Sequence, residues 1–172
     1  ENPRKYLLNI AKDVPEVIVG PGSIPNVEMA KEVIDLGAKF IVMPGFDAKV
    51  VEHCLKNDIS VLPGCVTATE IMMALSYGIN ICKFYPVYEM GGTATLAQFN
   101  NGPFGMIEWV VTGGLDGKNF LPLVAYKNTL AAGGDWMFNE NNALKNSDWD
   151  AMEENARRTV LDSLNARANA KK

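Results

Sequence analysis

Histidine is almost missing from the 172-residue chain, and cysteine is scarce, with one His and three Cys. Catalytic zinc sites draw on several histidines, so the lone His53, in the mixed apolar and polar stretch Ala48 to Asn57, argues against zinc chemistry. Cys54, Cys65 and Cys82 are odd in number and lack CxxC spacing, which suits reduced thiols rather than bridges or a structural zinc. No apolar run approaches the roughly 18 residues of a membrane helix, and the opening residues lack the continuous apolar core of a signal peptide. Basic residues are not in excess either: 16 Lys and Arg stand against 20 Asp and Glu, a net charge of -4, with no basic cluster interleaved with aromatics. Nucleic acid and membrane partners are therefore not expected, and the cytoplasm is the expected compartment. What is present is a 48% apolar and 21% charged chain, which excludes disorder and predicts a single globular domain.

Short β-rich runs recur, each ending in a Gly or Pro turn. They are Val17 to Val19 into Gly20-Pro21-Gly22, Phe40 to Met43 into Pro44-Gly45, and Ser60 to Leu62 into Pro63-Gly64. Ile81 to Tyr85 into Pro86, Trp109 to Thr112 into Gly113-Gly114, and Thr129 to Ala132 into Gly133-Gly134 follow. Runs without polar alternation read as strands covered on both faces. The segments between them carry helical apolar spacing: 26–36, 48–57, 67–77, and more weakly 91–100 and 117–124. Ser147 with Asp150 matches a capping box ahead of a last helix from Trp149 to about Ala168, with Met152, Ala156, Val160 and Leu164 recurring along it. That helix, 148–168, is read as packing on the domain.

A repeated βα unit suits an open doubly wound sheet or a closed (β/α)8 barrel. The even spacing and the two Gly-Gly pairs after the last strands favour the TIM barrel, with six of its eight βα units in this sequence. At about 22 residues per unit, two more units would need about 44 residues ahead of Val17, where 16 stand. The expectation is that the chain opens inside the second helix of the barrel. Further chain, or a partner, would then cover the strand edges left unpaired.

Lys83 interrupts an apolar strand and shares a face with Ile81 and Tyr85 by period two. If that face is interior, partial desolvation lowers the ammonium pKa and frees a nucleophilic amine for Schiff-base chemistry with a ketone. The alternative is a lysine at a strand end reaching solvent. Cys82 lies on the opposite strand face. Thr112-Gly113-Gly114 and Gly133-Gly134 expose backbone N–H groups to an anion or are plain turns. Ser23 and Pro44 stand at strand ends on the face where barrel sites lie, with a turn or cap role equally open for Ser23.

At Cys82-Lys83-Phe84-Tyr85-Pro86 the chain resembles the KDPG/KHG aldolases, which act on 2-keto-3-deoxy-6-phosphogluconate and 4-hydroxy-2-oxoglutarate. The likeness runs collinearly through 10–16, Gly20-Pro21-Gly22-Ser23, Met43-Pro44-Gly45, Leu62-Pro63-Gly64, Gly102-Pro103-Phe104, Thr112-Gly113-Gly114 and Gly133-Gly134-Asp135-Trp136. The resemblance implies a cofactor-free class I lyase on a trimeric barrel. Lys83 would hold pyruvate or the keto acid as a Schiff base, and Ser23 and Pro44 would lie around the carboxylate. Tyr85 would line the pocket, and Thr112, Gly113, Gly114, Gly133 and Gly134 would match phosphate-binding turns. The alternative class is a non-catalytic sugar-acid binding or scaffold protein built on the same barrel.

Three departures stand out. The family's glutamate base and its carboxylate-binding arginine lie on a strand that this sequence does not contain, and neither Glu16 nor Glu89 matches the base position. Ser23 replaces the usual threonine and keeps the hydroxyl. Asp135 replaces a serine that helps hold phosphate. A carboxylate about 4 Å from a phosphate oxygen opposes binding by on the order of 4 kcal/mol at an effective dielectric near 20, roughly a thousandfold. Asp135 is therefore expected to favour an unphosphorylated keto acid.

Overall fold

The computed structural model describes residues 4–170 and divides into two compact units, the division falling after Lys83. The first unit contains α1 (Arg4–Asp13), α2 (Val27–Asp35), β1 (Phe40–Val42), α3 (Ala48–Lys56), β2 (Ser60–Leu62) and α4 (Ala68–Ser76), and it ends within β3 (Ile81–Phe84). Each of α2, α3 and α4 starts where a side chain relieves an orphan amide. Asn26 Oδ1 accepts from the Met29 N–H at 2.9 Å and Asp47 Oδ1 from the Val50 N–H at 3.0 Å. Thr67 and Glu70 form a full capping box. Two of these helices stop at a left-handed glycine, Gly37 after α2 and Gly78 after α4. Their inner faces bury Ala30 and Val33, then Val50, Val51 and Cys54, then Ile71 and Ala74, the helical spacing that the apolar residues announce.

β1 and β2 pair in parallel, with Phe40, Ile41 and Val42 opposite Ser60, Val61 and Leu62. The ladder continues beyond the strand ends. Met43 N–H donates to Leu62 O at 2.9 Å and Gly64 N–H to Gly45 O at 3.2 Å. Lys83 N–H donates to Pro63 O at 2.8 Å and Cys65 N–H to Lys83 O at 2.9 Å. Three consecutive strand ends therefore line up side by side, all pointing the same way.

The run Val17 to Val19 departs from expectation: it forms no strand, and Val17 lies in a bend. Its segment lies beside β1 through Lys39 N–H to Val19 O at 2.8 Å and Val42 N–H to Pro21 O at 3.0 Å. Pro21 has no N–H to return, so the ladder is broken from that side. Val17 and Ile18 remain exposed.

The second unit contains α5 (Gly92–Asn101), β4 (Glu108–Thr112), α6 (Leu121–Val124), β5 (Thr129–Gly133), α7 (Trp136–Asn139), a 3-10 turn (Glu140–Asn142), α8 (Ala143–Asn146) and α9 (Trp149–Ala170). β4 and β5 are parallel from Trp109 opposite Thr129 to Thr112 opposite Gly133, with a register shift after Trp109. The core is aromatic: Trp109 lies 5.6 Å from Phe84 and 5.8 Å from Phe99, ring centre to ring centre, and its indole N–H donates to the buried Asn100 Oδ1 at 3.2 Å.

Three local expectations change here. The helix read over 117–124 shrinks to α6, because the Asp116 carboxylate accepts the N–H groups of Lys118 and Asn119 at 2.8 and 2.9 Å and holds that stretch as a turn. The cap of α9 is Asp148, whose Oδ1 accepts the Ala151 N–H at 3.0 Å; Ser147 is left-handed at φ 54°. Along α9 only the Met152 end of the apolar stripe is buried, while Val160 and Leu164 are exposed. The helix is tied to its own unit by Trp136 Nε1 to Thr159 Oγ1 at 3.3 Å and by Arg167, which donates to the carbonyls of Val124, Thr129 and Leu130.

Candidate active site

In the first unit the row of strand ends carries Pro44, Gly45, Pro63, Gly64 and Lys83. Gly64 is required there, since a methyl on it would overlap the Pro44 carbonyl. Strand alternation buries Cys82 completely and leaves Lys83 half-buried. That partial burial pushes the Lys83 ammonium below the usual lysine value, because the charged form loses hydration. Behind the strand, the thiol of Cys65 is pushed far up, first by its hydrogen bond with Cys82, then by burial and by the nearby negative groups. A thiol held protonated is a poor nucleophile, so Cys65 does not compete with the Lys83 amine.

Pro44 lines a hollow of about 220 Å³ with Ile24, Pro25, Met43, Gly45 and Phe46. Ser23, exposed and held at φ 58°, immediately precedes Ile24 but is not among the residues lining that hollow. The Pro21 to Ile24 turn is nonetheless anchored to β1 on both sides, Pro21 O accepting from Val42 N–H and Ile24 N–H donating to Val42 O at 3.2 Å.

The second unit brings Tyr85 and Thr112-Gly113-Gly114 together. A methyl on Gly113 would lie 2.7 Å from the Tyr85 ring and 2.8 Å from Pro86 Cα, so the ring rests on the glycine backbone. Gly113 and Gly114 both take positive φ, at 92° and 67°. Thr112 Oγ1 is buried and has no hydrogen-bond partner among the described residues. Gly133 packs against Thr112, a methyl there meeting Cγ2 at 3.2 Å, and Gly134 is covered by the Trp136 ring. Asp135 is exposed, with Oδ2 accepting from Asn139 Nδ2 at 2.7 Å.

Two relationships were not legible from the sequence. One is the thiol pair Cys65 and Cys82, separated by 16 other residues. The other is Glu89, whose carboxylate lies over Gly114; a methyl there would sit 2.7 Å from Oε1 and 2.9 Å from Oε2. Strand spacing hints at the first, and nothing in the sequence pattern points to the second.

The family profile described as KDPG and KHG aldolase matches residues 4–155. The 2-dehydro-3-deoxy-phosphogluconate aldolase of Treponema pallidum is 39% identical over 74% of this chain and 60% of its own length. That of Dickeya dadantii is 36% identical, and the KHG/KDPG aldolase of Escherichia coli K12 35%, each over 88% of this chain and 70% of its own. The chain thus spans 60 to 70% of the length of these curated relatives. Among solved structures, the KDPG aldolase of Legionella pneumophila, with pyruvate captured as a covalent carbinolamine, superposes with a TM-score of 0.83 at 28% identity over 88% of this chain and 73% of that one. With that profile covering most of its length, and relatives above 30% identity, the chain belongs to the KDPG/KHG aldolase family.

Proposed function

We propose that this chain is a class I aldolase that cleaves a 2-keto-3-deoxy sugar acid or 4-hydroxy-2-oxoglutarate to pyruvate and an aldehyde, with Lys83 as the Schiff-base lysine. The observation that carries this reading is the half-buried Lys83 amine at the row of strand ends, its ammonium destabilised by lost hydration. In the neutral state its nitrogen lone pair attacks the keto carbon, and loss of water from the carbinolamine gives an iminium. A base takes the C4 hydroxyl proton, the C3–C4 electron pair flows into the iminium, and the aldehyde departs from an enamine. Protonation at C3 and hydrolysis release pyruvate and return the free amine.

The remaining assignments follow the family. Ser23 and Pro44 hold the keto-acid carboxylate, Tyr85 walls the pocket, and the turns at 112–114 and 133–135 receive the far end of the substrate. The chain's βα units belong to a (β/α)8 barrel forming a single domain on which α9 packs, the protein assembles as a homotrimer, and it works in the cytoplasm. Supporting the catalytic part is the carbinolamine that the Legionella relative forms with pyruvate. The test is pyruvate release from 2-keto-3-deoxy acids by the native protein and by Lys83→Arg, which keeps the charge and removes the nucleophile. A drop of at least about a thousandfold is expected; a folded Lys83→Arg protein with native turnover would refute the assignment. A protein that folds, binds sugar acids and releases no pyruvate would instead be a non-catalytic binding barrel.

A further inference from the structure

The turn between β2 and α4 carries the backbone of Lys83. Its first residues, Pro63, Gly64 and Cys65, are buried. Pro63 O accepts from Lys83 N–H at 2.8 Å, and Cys65 N–H donates to Lys83 O at 2.9 Å. On the other side Gly64 N–H donates to Gly45 O at 3.2 Å, and a methyl on Gly64 would stand 2.4 Å from Pro44 O. The turn is therefore a spacer between Pro44 and Lys83, and a shift of it moves Lys83 relative to the hollow that Pro44 lines.

Glu70, in the first turn of α4, holds this spacer. One carboxylate oxygen, Oε2, accepts from Val66 N–H at 2.9 Å, from Thr67 N–H at 2.9 Å and from Thr67 Oγ1 at 2.8 Å. A capping box requires only the bond to the N–H of the N-cap, here Thr67. The bond to Val66 reaches one residue further back, next to Cys65, and the helix does not need it. The backbone carbonyl of Glu70 also accepts from the Cys65 thiol at 3.6 Å, so one residue grips 65, 66 and 67 in succession. Hydrogen bonds to a carboxylate are roughly twice as strong as neutral ones. Two adjacent amides converging on one oxygen fix the direction in which the chain leaves Cys65.

We propose that Glu70 is a positioning residue for the Lys83 amine, acting through the 63–67 turn and governing the rate of Schiff-base formation without touching the substrate. This rests on the aldolase reading above for the reaction and adds a residue to it. The turn that carries Ser23 is anchored to Val42 of β1, so loss of the Glu70 bonds should lower the rate at saturating pyruvate more than it raises the half-saturating concentration.

The experiment compares the native protein with Glu70→Gln, Glu70→Asp, Glu70→Ala and Thr67→Ala, by borohydride trapping of pyruvate on Lys83 and by amide hydrogen exchange. A carboxamide oxygen reaches the same two amides, whereas a carboxylate one methylene shorter does not. Glu70→Gln should therefore trap pyruvate within about threefold of the native rate, and Glu70→Asp and Glu70→Ala about tenfold more slowly. Thr67→Ala weakens the helix cap but leaves Val66 on Glu70, and should stay within about threefold of native. Equal losses in Thr67→Ala and Glu70→Ala would reduce Glu70 to a helix cap and overturn the proposal. So would a native rate in Glu70→Asp beside a slow Glu70→Gln, and this pair decides the matter if Glu70→Ala does not fold. Exchange reads the positioning without the chemistry: in Glu70→Asp the Cys65 and Lys83 amides should exchange about tenfold faster relative to those of Lys39 and Val42. Unchanged relative exchange overturns the proposal even where pyruvate is trapped. A native protein that traps no pyruvate refutes the aldolase reading, while the exchange rates still decide whether Glu70 holds this strand end.

Discussion

The carbonyl of Lys83 accepts the Cys65 N–H at 2.9 Å while the Lys83 N–H donates to Pro63 O at 2.8 Å, so both backbone groups of the proposed nucleophile are held by the segment that follows β2. A lysine whose backbone is fixed in this way starts its side chain from one place on the row of strand ends, so part of the entropy of positioning it is settled on folding rather than on binding.

Burial lowers the Lys83 pKa from the ordinary 10.5. The rate of pyruvate adduct formation should therefore rise with pH and level off below 10.5, as the neutral amine fills. Between the lowered value and 10.5 the unfolded chain binds more protons at this site than the folded one. The contribution of Lys83 to stability should accordingly rise with pH through that window. Rates measured across pH, with urea midpoints over the same range, check both signs; an adduct rate still climbing beyond pH 10.5 would contradict them.

Thiol reagents should leave the reaction intact. Cys54, Cys65 and Cys82 are free and buried, and burial and the mutual hydrogen bond hold the first two thiols protonated. Iodoacetamide under native conditions should label none of the three at more than a small fraction of the rate seen in urea, and pyruvate trapping should continue after the treatment.

Glycine at position 113 should be far less replaceable than glycine at position 37. Both have φ above 90°, but a methyl on Gly113 meets Tyr85 and Pro86 inside 3 Å, whereas one on Gly37 meets open space. Gly37→Ala should lower stability by about 1 kcal/mol through its dihedral alone, and Gly113→Ala by about 3 kcal/mol or more. Equal shifts in the urea midpoint would count against the packing described at the turn.

The start of α9 can be read in two substitutions. Asp148→Ala removes the oxygen that caps Ala151 and should lower stability by about 1 kcal/mol. Ser147→Gly relieves a left-handed residue at φ 54° and should raise it by about 0.5 kcal/mol. Thermal denaturation of the two proteins should move in opposite directions.

These cases also mark where sequence reasoning succeeds and stops. β1, β2 and β3 are visible as apolar runs closed by Pro or Gly, and α2, α3 and α4 fall within a residue of their apolar spacing, because both signals are local. The segment at Val17 fails since a proline silences one side of its ladder, and the 117–124 helix fails since Asp116 captures the amides that would start it. Lys83 and the glycine turns are legible as a polar residue in an apolar strand and as strand-end punctuation. Glu89 over Gly114 is not, because it depends on how a loop folds back over a turn 25 residues away.

Trapping addresses the central claim most directly. The native protein is incubated with pyruvate, reduced with borohydride and digested, and the peptide carrying Lys83 is weighed. The account predicts the mass gain of one reduced pyruvate on Lys83 and on no other lysine. A folded protein whose Lys83 peptide gains no mass, or one that carries the adduct elsewhere, would contradict it.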